Sequence, residues 1–594
     1  MSKEFISKEL FIASLKRFGR NNQIILSVLA LLVGITAGVA AIAFRWGIGA
    51  FQDLAYGFSD ENVATQAAEL PWWHLLAAPT VGGLIVGLYI HFFLAGGRPP
   101  GVANVIEANA LHGGRMSLAD GLKTAVASAA SLGFGASVGR EGPVVHLGAS
   151  LGAWVAARLH LGRSLSRTLL GCGVAAAVAA SFNAPIAGTL FALEVVVGHY
   201  ALSAFAPIVI ASVTGTMISR AYYGDFPAFI LPRDLTIVSL WEFPAFAILG
   251  VVCAVAAIVF MRSIMTAGEL FEKTPVPSWA RPAFGGLAVG IMAIVGFPHL
   301  IGVGYEATDM AISEQLTLWM LVALIALKIA ATSLCLGSGF AGGVFSPSLF
   351  LGAMVGGAYG MIATLAMPDL SSGHGVYTIV GMGALTGAVL GAPISTILMI
   401  FELTGDYTVT IAVMIATVIA SVITQQFHGR SFFIWQLERR GISIKGGQEI
   451  GLMRSIFVDS VMDKTFETIL SDAPVAQVRT RLQDAPWGEL FVVDADGILI
   501  GTLTFSDLHE AAFDTSHDDE LDAAALARKH PTVLQVHDNL EIAVQIYGAS
   551  GEVHVPVVDD RASMRMIGVA HEHEVMLAYH RALDQARAEE RGDL

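Results

Sequence analysis

The chain has 594 residues, 54% of them hydrophobic and only 14% charged, and its mean hydropathy is +0.65. Soluble domains carry about 25% charged residues, so this composition excludes an ordinary soluble enzyme and calls for lipid over much of the surface. The formal net charge is −15, but just over half of the acidic residues lie after Gly451, which puts the acidity mostly in the tail and argues against a nucleic-acid partner.

Sixty-three glycines allow helix backbones the close approach on which packing in lipid depends. The three cysteines, Cys172, Cys253 and Cys335, sit in apolar stretches without metal spacing or a disulfide pattern, and read as small buried hydrophobes. Residues 1–22 hold Lys3, Lys8, Lys16, Arg17 and Arg20 ahead of the first apolar run and show no cleavable signal, so the positive-inside rule keeps this end in the cytoplasm. Apolar segments then dominate from about Ile24 to Thr424. Clear ones run near Ile24–Trp46, Leu75–Leu94, Ala245–Met261, Ala283–Val295 and Leu316–Leu336. Shorter ones, broken by Gly and Pro, run near Leu122–Phe134, Val144–Ala157, Leu169–Ser181, Ile186–Val197, Tyr377–Leu390 and Ile394–Leu403. A full span needs about 20 residues, whereas a twelve-residue helix covers only about 18 Å. Helices interrupted at membrane depth persist only where protein or a watery cavity surrounds them, as in channels and transporters. The pattern predicts a mainly α, polytopic membrane protein with many short, broken helices.

The chain repeats itself. PVVHLGASLG from Pro143 and PSLFLGAMVG from Pro347 share P-x-x-x-L-G-A-x-x-G at an offset of 204 (347 − 143). APIAGTLFALE (Ala184–Glu194) and APISTILMIFE (Ala392–Glu402) share their ends at an offset of 208 (392 − 184). Equal order and nearly equal offset imply two homologous halves, about 23–220 and 240–430, which a pathway at a midplane repeat interface would favour as inverted repeats. The membrane part closes near 440, a linker covers 441–457, and from about Val458 the chain is ordinary α/β sequence. Runs Leu490–Val493 and Val553–Val558 each precede a turn and a second apolar run, again a duplication, over 458–582. Residues 583–594 are a charged tail.

An anion crossing a membrane must have its hydration replaced, since an isolated charge in an apolar interior costs tens of kcal/mol. Partial charges suit conduction because full countercharge would hold the ion too tightly, and helix N-termini supply free N–H groups with about half a positive charge. GGRPPG (Gly96–Gly101), GREGP (Gly139–Pro143) and GSGFAGGVFSP (Gly337–Pro347) each break the chain with Gly and Pro and lead into an apolar helix. One such segment is most often a structural turn; three, two of them at matching points of the repeat, predict a converging anion site. GREGP also sets Glu141 beside Arg140 at a helix start, where an ionisable pair is a functional candidate. A carboxylate there can take the seat of an anion and leave it on protonation; a structural Arg–Glu pair is the alternative.

With FNAPIAG (Phe182–Gly188) and GVGYE (Gly302–Glu306), these motifs make residues 20–440 resemble the CLC family of chloride channels and proton-coupled chloride transporters. The resemblance implies a homodimer of inverted repeats with a separate pathway in each subunit. It implies Glu141 as the external gating glutamate and anion contacts from backbone around Arg140, Gly142, Val344, Phe345 and Ser346, with Pro100, Gly101 and Phe433 completing the site. Three departures from the family pattern matter. Pro100 stands where a Ser is usual, and Phe433 where a Tyr is usual, so neither offers a hydroxyl and the central site leans on main-chain amides. Val195 stands at the internal proton position, where proton-coupled members carry a glutamate; Glu194 and His199 lie close by in sequence and read as structural. The tail resembles a tandem pair of cystathionine-β-synthase (CBS) domains. Its GTLTFSD places Gly501, Thr504 and Asp507 in the pattern that holds a nucleotide ribose, whereas GVAHEHE in the second copy has His571 and Glu574. An adenine nucleotide on one side and a ligand-free dimer scaffold are equally weighted readings of this tail.

These observations predict passive, channel-like conduction of chloride or a similar small anion, gated by Glu141. The alternative is a proton-coupled chloride or nitrate antiporter with an atypical internal proton route. A ligand-sensing receptor without transport would not need buried Gly-rich helix starts. No nucleophile–base pair or metal-ligand cluster appears in the membrane part, so an enzyme is not expected and no cofactor is required. The expected place is the cell membrane, multi-pass, with both ends cytoplasmic, and the expected partners are lipid, the anion and a second copy of the chain.

Overall fold

The computed structural model describes residues 22–59, 62–198, 200, 202–225, 229, 237–442, 453, 456–485, 487–512 and 521–591. His199 and the basic N-terminal segment lie outside these. The chain forms two compact units, residues 1–443 and 444–594.

Among the described residues, the regular elements of the first unit are all helices. Its elements are α1 (Asn22–Tyr56), α2 (Val63–Ala68), α3 (Trp72–Phe93), α4 (Val102–Ala110), α5 (Leu118–Gly133), α6 (Glu141–Arg158), α7 (Arg163–Phe182), α8 (Pro185–Phe191) and α9 (Leu202–Tyr223). The second half holds α10 (Phe243–Lys273), α11 (Arg281–Ile294), α12 (Tyr305–Ile312), α13 (Leu318–Ser338), α14 (Phe345–Ala366), α15 (His374–Leu390), α16 (Pro393–Thr404), α17 (Tyr407–His428) and α18 (Phe432–Arg439). Among the described residues, eight helices are long and apolar enough to cross a membrane. Local chemistry sets the breaks. Ser117, Thr317 and Asp406 accept the Asp120, Met320 and Val409 amides and so start α5, α13 and α17. Left-handed Asn183, Gly339 and Gly391 end α7, α13 and α15.

The halves repeat in packing as well as sequence. A Cβ on Gly173 of α7 would stand 1.9 Å from the Gly148 carbonyl of α6, and one on Gly381 of α15 would stand 2.3 Å from the Gly352 carbonyl of α14. Each half thus presses two backbones together through one glycine pair. Several expected segments differ: the runs expected at Ile24–Trp46 and Ala245–Met261 continue to Tyr56 and Lys273. The stretch expected at Leu169–Ser181 is a 20-residue helix beginning at Arg163, because Arg167 enters the interior and donates from Nε to the buried Asn109 Oδ1 at 3.2 Å. The run expected at Ile186–Val197 is split into α8 and a π-helical turn, Ala192–Val197, where Asn109 Nδ2 bonds the Val196 carbonyl at 2.8 Å.

The second unit carries two copies of one small motif. Strand β1 (Thr468–Leu470), helix α19 (Val475–Asp484), β2 (Glu489–Val493) and β3 (Leu499–Thr504) are followed by the short α20 (Ala523–Leu526) and β4 (Arg528–Lys529). Strand β5 (Leu534–Gln535), helix α21 (Leu540–Ser550), β6 (His554–Val558) and β7 (Met566–His571) repeat the order, and α22 (Glu572–Arg591) closes it. In each copy the first pair of strands is parallel and the second antiparallel, with a register shift at Val492/Val493 in one and Val557/Val558 in the other.

Candidate anion-binding site

Helices α6 and α14 begin against each other in the middle of the membrane unit. The residues just before them form a two-bond bridge: Gly139 N–H donates to Gly343 O at 2.7 Å, and Gly343 N–H donates to Gly139 O at 2.8 Å. These two glycines are equivalent positions of the repeat (343 − 139 = 204). A second exchange lies at the other repeated motif. Glu194 accepts the Ile394 and Ser395 amides at 3.0 and 2.8 Å, and Glu402 accepts the Ile186 and Ala187 amides at 2.8 Å each. Each half thereby caps a helix of the other. Reciprocal contacts between equivalent positions are the signature of a two-fold relation.

Glu141, the first residue of α6, turns its carboxylate onto the start of α14. Oε2 accepts the Ser346 amide at 3.2 Å and also the Ser346 hydroxyl. Oε1 accepts the Tyr305 hydroxyl at 2.7 Å and lies 3.6 Å from Arg140 Nε. Arg140 in turn stacks its guanidinium over the Tyr305 ring, 4.6 Å from the centroid. Glu141 and Ser346 are each 1% exposed, so these charge-assisted bonds act where water does not compete.

A cavity approaches on each side of this carboxylate. One, of about 440 Å³, is lined by Gly101, Gly142, Val344, Phe345, Phe432 and Phe433 among others. The other, of about 110 Å³, is lined by Arg140 and by the turn Ile301–Tyr305. Arg140 faces one space and Gly142 the other, which puts Glu141 between them. Among the sequence-predicted residues, Arg140, Glu141, Gly142, Val344, Phe345 and Ser346 therefore meet at one place. Gly101 and Phe433 reach the larger cavity only, and Pro100 is half-buried between Pro99 and Gly101, which both line it. The Gly101 amide is engaged by the Asn104 side chain at 3.2 Å.

Residues 82–425, more than half of the chain, match the family model described as voltage gated chloride channel. The chain belongs to the CLC family of anion-transporting membrane proteins. A ClcB-like chloride channel protein of Ralstonia nicotianae is 36% identical over 388 residues, covering 64% of this chain and 90% of its own length. Chloride channel protein CLC-e of Arabidopsis thaliana is 29% identical over 543 residues, covering 81% of this chain and 75% of its own. Among solved structures, a slow cyanobacterial Cl⁻/H⁺ antiporter superposes with a TM-score of 0.63 at 24% identity, over 70% of this chain and 97% of that one. A eukaryotic CLC transporter superposes with a TM-score of 0.61 at 18% identity, over 92% and 97%. The fold is the CLC fold. Residues 458–514 match the CBS domain model, and the second copy follows from the repeated strand order described above.

Against the CLC frame, the sequence missed Tyr305 as a site residue, although it lies inside the GVGYE motif. Glu306, its neighbour, accepts the Ala64 and Thr65 amides at 2.6 and 3.1 Å and so fixes α2. Val195 is half-buried on the π-helical turn, and its neighbour Glu194 is the helix cap already described. In the tail, Gly501 and Thr504 lie on β3, and Asp507 follows in the helical turn after it. A Cβ on Gly501 would stand 2.6 Å from the Arg528 carbonyl, so the approach of β4 already requires this glycine. Asp507 Oδ2 accepts the Thr504 amide and hydroxyl at 2.8 and 2.7 Å and Arg528 Nε at 3.2 Å. A nucleotide ribose would meet a carboxylate already held by the protein's own donors.

Proposed function

We propose that this chain carries chloride or a similar small anion across the cell membrane, through one pathway in each subunit of a homodimer, with Glu141 as the gate. Conduction is passive and channel-like. The observation that carries this reading is the Glu141 carboxylate bonded to the Ser346 amide and hydroxyl at a helix start, with a cavity on either side. A carboxylate so placed stands in for an anion. Protonation removes its charge, weakens its bonds to the donors and yields the seat to a permeating ion. The first-turn amides of α6 and α14 then supply the partial charges that bind without trapping. Val195 supports the passive mode, since it cannot hold a proton.

The domain limits of this reading are 23–440 for the anion pathway, 441–457 for a linker and 458–582 for the CBS pair, with both chain ends on the cytoplasmic side. An adenine nucleotide would reach Asp507 only in competition with Arg528.

A second reading, exchange of the anion for protons, is favoured by one observation. His146 lies on α6 five residues beyond Glu141, is 3% exposed, and its Nδ1 has no hydrogen-bond partner among the described residues. Liposomes under opposed anion and proton gradients separate the two. Passive conduction predicts a reversal potential that follows the anion gradient alone. Uphill proton uptake at a fixed ratio, driven by an outward chloride gradient, would establish exchange instead.

A further inference from the structure

Helix α13 carries a lysine in the middle of its apolar run. Lys328 has 0% exposure, and a cation at such depth is rare and marks function by default. Main-chain carbonyls receive it: Nζ donates to Val303 O at 3.2 Å and to Gly302 O at 3.4 Å. The same ammonium stands 4.7 Å from the centroid of the Phe350 ring on α14. These two carbonyls belong to the turn that leads into α12, and the first residue of α12 is Tyr305. The turn is tied on its other side by the Gly302 amide, which donates to Gly135 O at 3.2 Å. A continuous set of bonds thus runs from Lys328 through the Gly302–Val303 carbonyls to Tyr305, and from the Tyr305 hydroxyl to Glu141.

We propose that Lys328 is a positioning residue for the gate: its ammonium pins the Gly302–Tyr305 turn so that the Tyr305 hydroxyl holds the Glu141 carboxylate in the anion seat. This rests on the reading of Glu141 as the gate. The ionisable groups facing Glu141 are Arg140 beside it and Tyr305 from α12; Lys328 stands behind the turn, with the Cys335 thiol the ionisable group near it on its own helix. Without the ammonium the turn loosens, the phenol holds the carboxylate for less of the time, and protons displace Glu141 from the seat at higher pH. Functional sites need their supporting groups fixed within about 0.5 Å, and a charge-assisted bond to the backbone does this better than a neutral one.

The test is the pH profile of chloride efflux from liposomes holding the full-length protein, with pH equal on both sides. Lys328→Met and Tyr305→Phe should each move the half-maximal pH upward by about one unit, a tenfold change in proton concentration. Lys328→Met/Tyr305→Phe should move it no further than Tyr305→Phe alone, because both act on one hydroxyl. Lys328→Arg should keep the wild-type midpoint. Should Met at 328 prevent assembly, Lys328→Gln, which keeps donors but loses the charge, should give a smaller shift in the same direction. Glu141→Gln alone and with Lys328→Met should both be independent of pH. An unmoved midpoint in Lys328→Met, with Glu141→Gln still abolishing the pH dependence, overturns this inference and leaves the gate standing. Additive shifts overturn it too, since they make Lys328 a charge acting through space. A pH profile that Glu141→Gln leaves intact refutes the gate itself.

Discussion

The two helix starts that meet at the centre share a backbone and differ in what they carry. The 204-residue offset sets Arg140 opposite Val344, Glu141 opposite Phe345 and Gly142 opposite Ser346. Both starts offer first-turn amides and the positive end of a helix dipole. The first half adds an acid and its arginine; the second adds the amide and hydroxyl that receive the acid, behind a Phe345 ring packed 5.0 Å from that of Phe182 and 5.8 Å from that of Phe191. Duplication thus builds a symmetric pair of helix starts, and on the proposed reading a few unmatched side chains make the cradle between them one that can be shut.

Erasing the difference should have the largest effect. Glu141→Gln keeps the shape and removes the charge; since each charge-assisted bond contributes about 1.5–3 kcal/mol, chloride flux at neutral pH should rise on the order of tenfold or more and lose its pH dependence. Unchanged flux and pH response would mean that the acid is a structural partner of Arg140. Ser346→Ala removes one of the bonds from the receiving side. It should open the pathway by several-fold at neutral pH, less than Glu141→Gln does, and weaken competition between chloride and larger anions in the same assay.

The symmetric contacts make the opposite prediction, namely equality. Glu194→Gln and Glu402→Gln each weaken a pair of bonds to a helix start in the other half, at a cost of about 1–2 kcal/mol apiece. The two should lower the thermal unfolding midpoint of the purified protein alike. A large inequality would show that the two-fold relation is confined to the backbone.

The smallest expected effect lies in the tail, where two kinds of buried group pull in opposite directions. Burial above all pushes the Glu489 carboxyl up to about 7, against the attraction of Arg528 and together with repulsion from Glu552 and Asp507. Its contribution to stability is present below its ordinary value near 4.5 and is lost as pH rises through 7. His554 and His571 pair through their Nδ1 atoms at 2.8 Å, and burial pushes both below their ordinary value. Their contribution is present above about 6.5 and is lost as pH falls. Hydrogen-exchange protection across 456–591 of the intact protein, corrected for the intrinsic rise of amide exchange with pH, should therefore be greatest near pH 6.5 and fall on both sides, by amounts on the order of 1 kcal/mol given partial solvent screening. Glu489→Gln should remove the alkaline loss alone, and His571→Gln the acid loss alone. A flat profile would show that solvent reaches these groups.

Much of this was legible in the sequence because it is written locally. Gly and Pro breaks, the repeated P-x-x-x-L-G-A-x-x-G and the acid in GREGP announced interrupted helices, two halves and a candidate gate. What stayed hidden was partnership across long stretches of chain. Tyr305 meets Glu141 across 164 residues, and Glu194 meets its amides across 200, so no local pattern could name either pair. Lys328 stands in the sequence as a charge inside an apolar run, but only the fold shows that carbonyls of the turn before Tyr305 receive it. The start of α7 at Arg163 was hidden for the same reason, since its buried arginine is tolerated only through Asn109 on another helix. In the tail the G-x-x-T-x-x-D pattern was legible, yet Arg528, which occupies its aspartate, arrives from a later strand.

The central claim is that the Glu141 carboxylate occupies the place of an anion. The structure of Glu141→Gln determined in bromide tests it most directly. The account predicts bromide within hydrogen-bond distance of the Ser346 amide and hydroxyl, with the glutamine swung away. A glutamine still bonded to Ser346, with bromide bound elsewhere along the pathway, would contradict it.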